Sequence, residues 1–79
     1  MPTIVRLSDT LRICMYAGDH NPPHFHLIAS DRRACMVRLD TLEVIRGTID
    51  ARSFAQAVAW AGDNGDLLAR RWADLNERD

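Results

Sequence analysis

The sequence predicts an α+β fold, in which an antiparallel β-meander of four to five short strands precedes two C-terminal helices packed on one sheet face. Two observations predict it. Apolar and polar residues alternate through most of the first half, as in half-buried strands, and apolar residues recur every three or four positions in the second half, as in amphipathic helices. Short turn segments join the alternating stretches, which favours hairpins. We expect strands within residues 3–46 and helices at about 51–63 and 66–77.

The strand predictions rest on alternation bounded by turn residues. Gly, Asp, Asn and two prolines fill residues 17–23, which excludes a helix or a central strand there. Odd-numbered apolar positions would face the helices and even-numbered positions the other sheet face. The predicted strands are Thr3–Leu7, Leu11–Tyr16, His24–Ala29, Arg33–Leu39 and a short Leu42–Arg46 ended by Gly47.

Capping residues set the limits of the two helices. Asp50 is a favourable N-cap for a helix that starts at Ala51. We expect Asn64 and Gly65 to end it in the left-handed conformation and Asp66 to cap the second helix. Trp60 and Trp72 are expected to pack between helices and sheet. The apolar stripes are Phe54, Val58 and Ala61 in the first helix and Leu68, Trp72 and Leu75 in the second.

Size and composition indicate one small globular domain spanning residues 1–79. The net charge of −1 gives no global attraction to nucleic acid or to an anionic membrane. All ten basic residues are arginine, whose planar fork suits phosphate or carboxylate. We find no signal-peptide pattern and no membrane-spanning apolar run, and we therefore expect a cytoplasmic protein with reduced, buried Cys14 and Cys35.

The three histidines of the chain all lie within seven residues, at His20, His24 and His26. Strand residues two apart point to the same face and lie about 6.6 to 7 Å apart, so His24 and His26 are expected to converge on one ligand. The two prolines before them stiffen the approach. We place His20 and Asp19 on the loop beside the same site.

Three interpretations of this segment stay open. The histidines are exposed or cap loop carbonyls; or they bind a divalent transition metal such as Zn, Fe, Mn or Ni; or they act without metal on a phosphate ester. The metal interpretation uses His20, His24 and His26 with Asp19 as a loop carboxylate. The metal-free interpretation uses His24 and His26 as an acid–base pair, Tyr16 as a donor or stacking surface, and Arg12, Arg38 and His20 to bind substrate.

Several strings of the sequence together resemble a bacterial family of unknown function, DUF4160. The most specific is Asp19-His20-Asn21-Pro22-Pro23-His24-Phe25-His26. The others are the Met-Pro-Thr-Ile start, Ile13 to Tyr16, Leu42 to Gly47, Trp60, and the stretch Leu67-Leu68-x3-Trp72.

The resemblance implies a short stand-alone protein and no established activity. Genes of such proteins tend to lie beside a small domain with a DNA-binding look, which resembles a toxin–antitoxin arrangement. Our leading hypothesis is a toxin-like domain that binds or cleaves RNA with its histidine-bearing sheet face and pairs with an antitoxin-like or DNA-binding partner. The alternatives are a non-catalytic interaction module, which binds a partner or forms a homodimer through a strand edge, and a metal-binding domain. Whether the protein is an enzyme stays open, and no membrane partner is expected.

Overall fold

The computed structural model describes residues 3–19 and 21–76 and confirms the α+β prediction. Five antiparallel strands form one sheet in the order β1-β2-β3-β4-β5, so each strand pairs with its neighbour in sequence. The sheet is followed by two helices. The elements are β1 Thr3–Ser8, β2 Leu11–Cys14, β3 His24–Ala29, β4 Ala34–Arg38, β5 Val44–Gly47, α1 Ala51–Asp63 and α2 Gly65–Asn76.

The register of the sheet confirms the predicted strand phases. On one face the apolar pairs include Ile13 with Leu27 and Phe25 with Val37. Because neighbouring residues on a strand point to opposite faces, the residues between them share the other face. The pairs on that second face are Cys14 with His26, Arg12 with Ile28, and His24 with Arg38.

The core lies between the apolar sheet face and the two helices. Trp60, Phe54 and Leu75 pack against it while half-buried, and Trp72 is inside it, as the sequence predicted. Cys14 and Cys35 are free and buried, and burial raises the pKa of the Cys35 thiol, which keeps it protonated at neutral pH. The buried cluster is Leu11, Ile13, Met15, Phe25, Leu27, Cys35, Val37, Ala57, Ala61, Leu68 and Trp72.

The helix limits follow partly from the predicted caps. Asp50 is the N-cap of α1, because its Oδ2 accepts the Ser53 backbone N–H at 3.0 Å. The predicted left-handed end of α1 is wrong, since Asn64 ends the helix at φ −128°. The side-chain amide of Asn64 instead donates to the Trp60 carbonyl at 2.8 Å, and the backbone carbonyl of Asn64 accepts the Leu68 N–H at 3.0 Å.

This double use of Asn64 makes the junction between the helices tight. The N-cap assignment of Asp66 is therefore wrong, because α2 already begins at Gly65. Asp66 lies in the first turn of α2, where its carboxylate opposes the positive end of the helix dipole. The last predicted residue of this helix, at position 77, lies outside the described residues.

The sheet has two edges, β1 and β5. Strand β5 is exposed throughout, with Val44 46% and Ile45 42% exposed. At its end Gly47 adopts φ +86° and approaches the Ala34 carbonyl so closely that a Cβ would clash with it. Neither described helix is long and apolar enough to cross a bilayer.

Candidate functional site

Asp19, His24 and His26 come together at the end of the sheet where a loop joins β2 to β3. We call these three residues the triad. The Asp19 Oδ2 atom lies 3.3 Å from His24 Nε2 and 3.1 Å from His26 Nε2. One ligand atom from each residue lies within 4.8 Å of the other two. The predicted convergence of His24 and His26 is present, with their ring centroids 5.2 Å apart.

The hydrogen bonding of His24 selects one tautomer of its ring. Its Nδ1 lies 2.8 Å from the Pro22 carbonyl oxygen, which only accepts, so Nδ1 donates. A neutral ring then carries its lone pair on Nε2. That Nε2 atom is buried and makes no hydrogen bond with any described residue. The 3.3 Å contact with Asp19 is close but not aligned as a hydrogen bond.

Two aromatic side chains hold the imidazoles in place. The Trp72 ring centroid lies 5.1 Å from that of His24, and Trp72 is itself only 2% exposed. On the outer side, Tyr16 meets His26 edge-on at 4.7 Å. Trp72 therefore has a role beyond the predicted core packing, because it also supports the buried imidazole.

Asn76, the last residue of α2, anchors the loop that carries Asp19. Its Oδ1 accepts the Asp19 backbone N–H at 2.9 Å, and its Nδ2 donates to the Tyr16 carbonyl at 3.3 Å. No motif or apolar period in the sequence marks Asn76 as a site residue. Its only signal was its place at the end of a helix, and periodicity does not show which loop a helix end reaches.

Two of the three separations among the triad ligand atoms fit a metal coordination sphere. Zinc binds His nitrogen and carboxylate oxygen at about 2.0 to 2.2 Å, which places tetrahedral ligand atoms about 3.4 Å from one another. The Asp19 oxygen is 3.3 Å and 3.1 Å from the two imidazole nitrogens. A metal-bound histidine commonly donates its other ring N–H to a backbone carbonyl, as His24 does to Pro22. These two separations suit a shared ion, and all three ligand atoms lie within 4.8 Å of one another.

Of the other predicted site residues, Arg38 and Arg12 lie near the triad but bind other groups. Arg38 is the cross-strand partner of His24, but its guanidinium binds both carboxylate oxygens of Asp40, at 2.9 and 2.8 Å. Arg12 lies further along the sheet and reaches the Thr3 hydroxyl at 3.4 Å. His20 lies outside the described residues. The structure thus brings Tyr16 and the triad together. Arg38 lies on the neighbouring strand and Arg12 lies further along the sheet.

Comparisons with known proteins identify the family and nothing finer. A search of curated proteins and a search of solved structures each found no significant match. The family model described as "Domain of unknown function (DUF4160)" matches residues 11–73, which include the whole triad and the Trp72 that supports it. The chain therefore belongs to the DUF4160 family.

Proposed function

We propose that this protein binds a divalent transition metal ion through Asp19, His24 and His26, and that this ion is its functional centre. The observation that carries the proposal is the buried Nε2 atom of His24. It faces a carboxylate oxygen at 3.3 Å without an aligned hydrogen bond, while the opposite nitrogen donates to Pro22. Two electron-rich atoms so placed repel each other unless a proton or a metal ion lies between them.

Metal binding is better supported than a metal-free acid–base pair. A general base must reach the proton that it abstracts. His24 is only 3% exposed, and its Nδ1 is already bonded to a carbonyl, whereas His26 is 22% exposed. One imidazole is thus accessible and the other is sequestered. A buried nitrogen is suited to hold an ion, and the half-exposed side of the site suits a water or a substrate.

The donor set indicates the metals to test first. Two imidazoles and one carboxylate occur in catalytic zinc sites and in non-haem iron sites, where further positions stay open to water or substrate. Such an ion supplies a Lewis acid and a bound water of lowered pKa. RNA cleavage by a toxin-like protein is one activity that this chemistry would serve, and it stays a prediction together with the antitoxin-like partner.

The proposal is tested with untagged protein, because a His tag would bind the same ions. After chelation and dialysis we would titrate Zn²⁺ and Fe²⁺ by calorimetry and measure bound metal by elemental analysis. We expect one ion per chain in the parent, and loss of that ion in Asp19→Asn and His26→Ala. Asp74→Asn on the exposed face of α2 removes the same charge elsewhere and should bind like the parent. Absence of stoichiometric metal in the parent, or equal binding in the triad variants, would refute the proposal.

A second candidate function, protein interaction, has one specific observation in its favour. Edge strand β5 carries Val44 and Ile45 at 46% and 42% exposure, and an unpaired strand edge is a template for pairing with another chain. The partner that we propose is a second copy of this chain, joined edge to edge. Analytical ultracentrifugation should then show a concentration-dependent dimer that Ile45→Lys abolishes. A parent that stays monomeric up to millimolar concentration would reject this function.

A further inference from the structure

Three arginines line a depression on the same sheet face as the triad histidines. The depression has a volume of about 360 Å³ and lies where the turn between β1 and β2 meets the turn between β3 and β4. Its cationic lining comes from Arg6 on β1, Arg12 on β2 and Arg32 in the second turn. We call it the arginine cleft. Among the described residues that line it, Asp9 is the one acidic residue.

The positive charge of the arginine cleft is not neutralised by the described residues. The arginine ion pairs in the described part of the chain use Arg33 and Arg38, and none joins Asp9 to a cleft arginine. Arg6 and Arg12 are cross-strand partners in the register. Like charges placed directly opposite on a sheet repel each other. An anion bound between the two guanidinium groups would turn that repulsion into attraction.

The position of the Arg32 side chain follows from its turn, which has a backbone conformation that Leu42 also adopts in the next turn. Arg32 adopts φ +72°, in the left-handed region where glycine or asparagine is favoured. The turn is closed by its N–H, which donates to the Ala29 carbonyl at 3.1 Å. Glycine would serve this turn better than arginine does. Here the turn places a guanidinium in the cleft.

The cleft is one strand repeat away from the triad. Arg12 lies opposite Ile28, which is two residues beyond His26 on β3 and hence about 6.6 to 7 Å from it along the strand. No helix residue is among the described residues that line the cleft. Half-exposed Tyr16 lies edge-on to His26 at the far end. Cations, an aromatic ring and the triad therefore follow one another along one sheet face.

We propose that the arginine cleft binds phosphate groups of a single-stranded nucleic acid whose backbone continues toward the triad. The arginine fork matches phosphate geometry and can bind two oxygens at once. A repeating anion fits an extended row of contacts better than a single small phosphate does, and Tyr16 offers a surface for stacking a base. Only the direction toward the triad rests on the proposed metal function. The phosphate contacts themselves do not require an ion.

The test measures fluorescence anisotropy of a labelled 12-nucleotide single strand in EDTA, so that a failure of the metal proposal does not affect it. For each phosphate contact, the affinity falls as the salt concentration rises, with about the 0.7 power of that concentration. Relative to 1 M salt, one contact therefore contributes about fivefold in affinity at about 0.1 M salt. We expect Arg6→Ala and Arg32→Gly each to weaken binding about fivefold and to lower the salt slope by about 0.7. Arg70→Ala on the exposed face of α2 is the matched charge control and should bind like the parent.

The variant Arg32→Gly keeps the test decisive, because glycine is favoured at φ +72° and the protein should stay folded, as thermal melting would verify. The proposal is overturned if the parent does not bind the oligonucleotide, if Arg70→Ala weakens binding as much as the cleft variants, or if the cleft variants bind like the parent. A protein that binds inorganic phosphate but not the oligonucleotide would also overturn it. Retained oligonucleotide binding in Asp19→Asn would support it and separate the cleft from the metal site.

Discussion

The replacement of Asp19 by Asn tests the metal centre through protein stability. An ion that binds only the folded protein raises the free energy of unfolding by about 2.7 kcal/mol at 100 times its Kd. For a domain of this size, 1 kcal/mol corresponds to about 4 to 8 °C in Tm. Saturating metal should therefore raise the Tm of the parent by about 11 to 22 °C.

Asn has the shape of Asp and keeps the backbone N–H that donates to Asn76, but it lacks the charge that Asp19 places 3.1 and 3.3 Å from the two imidazoles. Loss of a partner in the outer shell of a metal site already costs up to about 100-fold in affinity. With that loss, the same metal concentration only equals Kd, and the stabilisation falls to about 0.4 kcal/mol. The Tm shift should then be about 2 to 3 °C.

Differential scanning fluorimetry with and without Zn²⁺ measures both shifts, and the chelated proteins supply the baseline. Asp74→Asn should shift like the parent, because it removes an equal charge from the exposed face of α2. A parent whose Tm does not rise with metal would refute the reasoning. So would an Asp19→Asn protein that rises as much as the parent.

Three further predictions concern single residues. Asn76→Ala should weaken metal affinity about tenfold, measured by calorimetry, because the loop loses its anchor to α2 while the ligands remain. The Ser53 N–H holds the pKa of Asp50 below its usual value, so the cap stabilises α1 above the ordinary carboxyl pKa and is lost as pH falls through the lowered value. Asp50→Ala should therefore lower Tm at pH 7, and its Tm should approach that of the parent in strong acid. Gly47→Ala should lower Tm and broaden the melt, because a Cβ there meets the Ala34 carbonyl at a positive φ.

The sequence allowed the strand order and phases to be predicted because alternation is a local signal. The limits of β3 at His24 and Ala29 were predicted correctly, since turn residues flank them on both sides. The prediction for β2 ran two residues too far, to Tyr16 rather than Cys14. Met15 is buried and continues the alternation, but the register ends at Cys14, which pairs with Thr3 and His26. A periodic pattern does not show where the pairing partners stop.

The junction between the helices shows a different limit of sequence reasoning. Asn, Gly and Asp in succession favour both a left-handed end and a new N-cap, and both expectations were wrong. Asn64 contributes to both ends, because its side-chain amide donates to the Trp60 carbonyl and its backbone carbonyl accepts the Leu68 N–H. Residue propensities indicate which residue types are favoured at a helix junction. The hydrogen bonds of Asn64 in the folded chain show which of them is used.

The triad was predictable in membership but not in geometry. Strand period placed His24 and His26 together, and proximity in sequence suggested His20 as a third ligand and Asp19 as a further one; Asp19 joins the pair, and His20 lies outside the described residues. Burial of His24 beneath Trp72 was not predictable, because alternation assigned that position to the open sheet face. This burial is what favours metal binding over a metal-free acid–base pair.

Arg38 and the arginine cleft show the same dependence on side-chain detail. Arg38 was expected to bind substrate, yet its guanidinium is occupied by Asp40 two residues later. Arg6 and Arg32 were not singled out, because the first lies on an edge strand and the second in a turn. They join Arg12 only through the pairing of β1 with β2 and of β2 with β3.

Crystals of the untagged protein grown with Zn²⁺, with diffraction data collected on both sides of the zinc absorption edge, test the central claim most directly. We expect one anomalous peak per chain, within about 2.2 Å of Asp19 Oδ2 and of the Nε2 atoms of His24 and His26. We also expect that His24 Nδ1 stays bonded to the Pro22 carbonyl. A fully occupied peak elsewhere, with the triad empty at saturating zinc, would contradict the account.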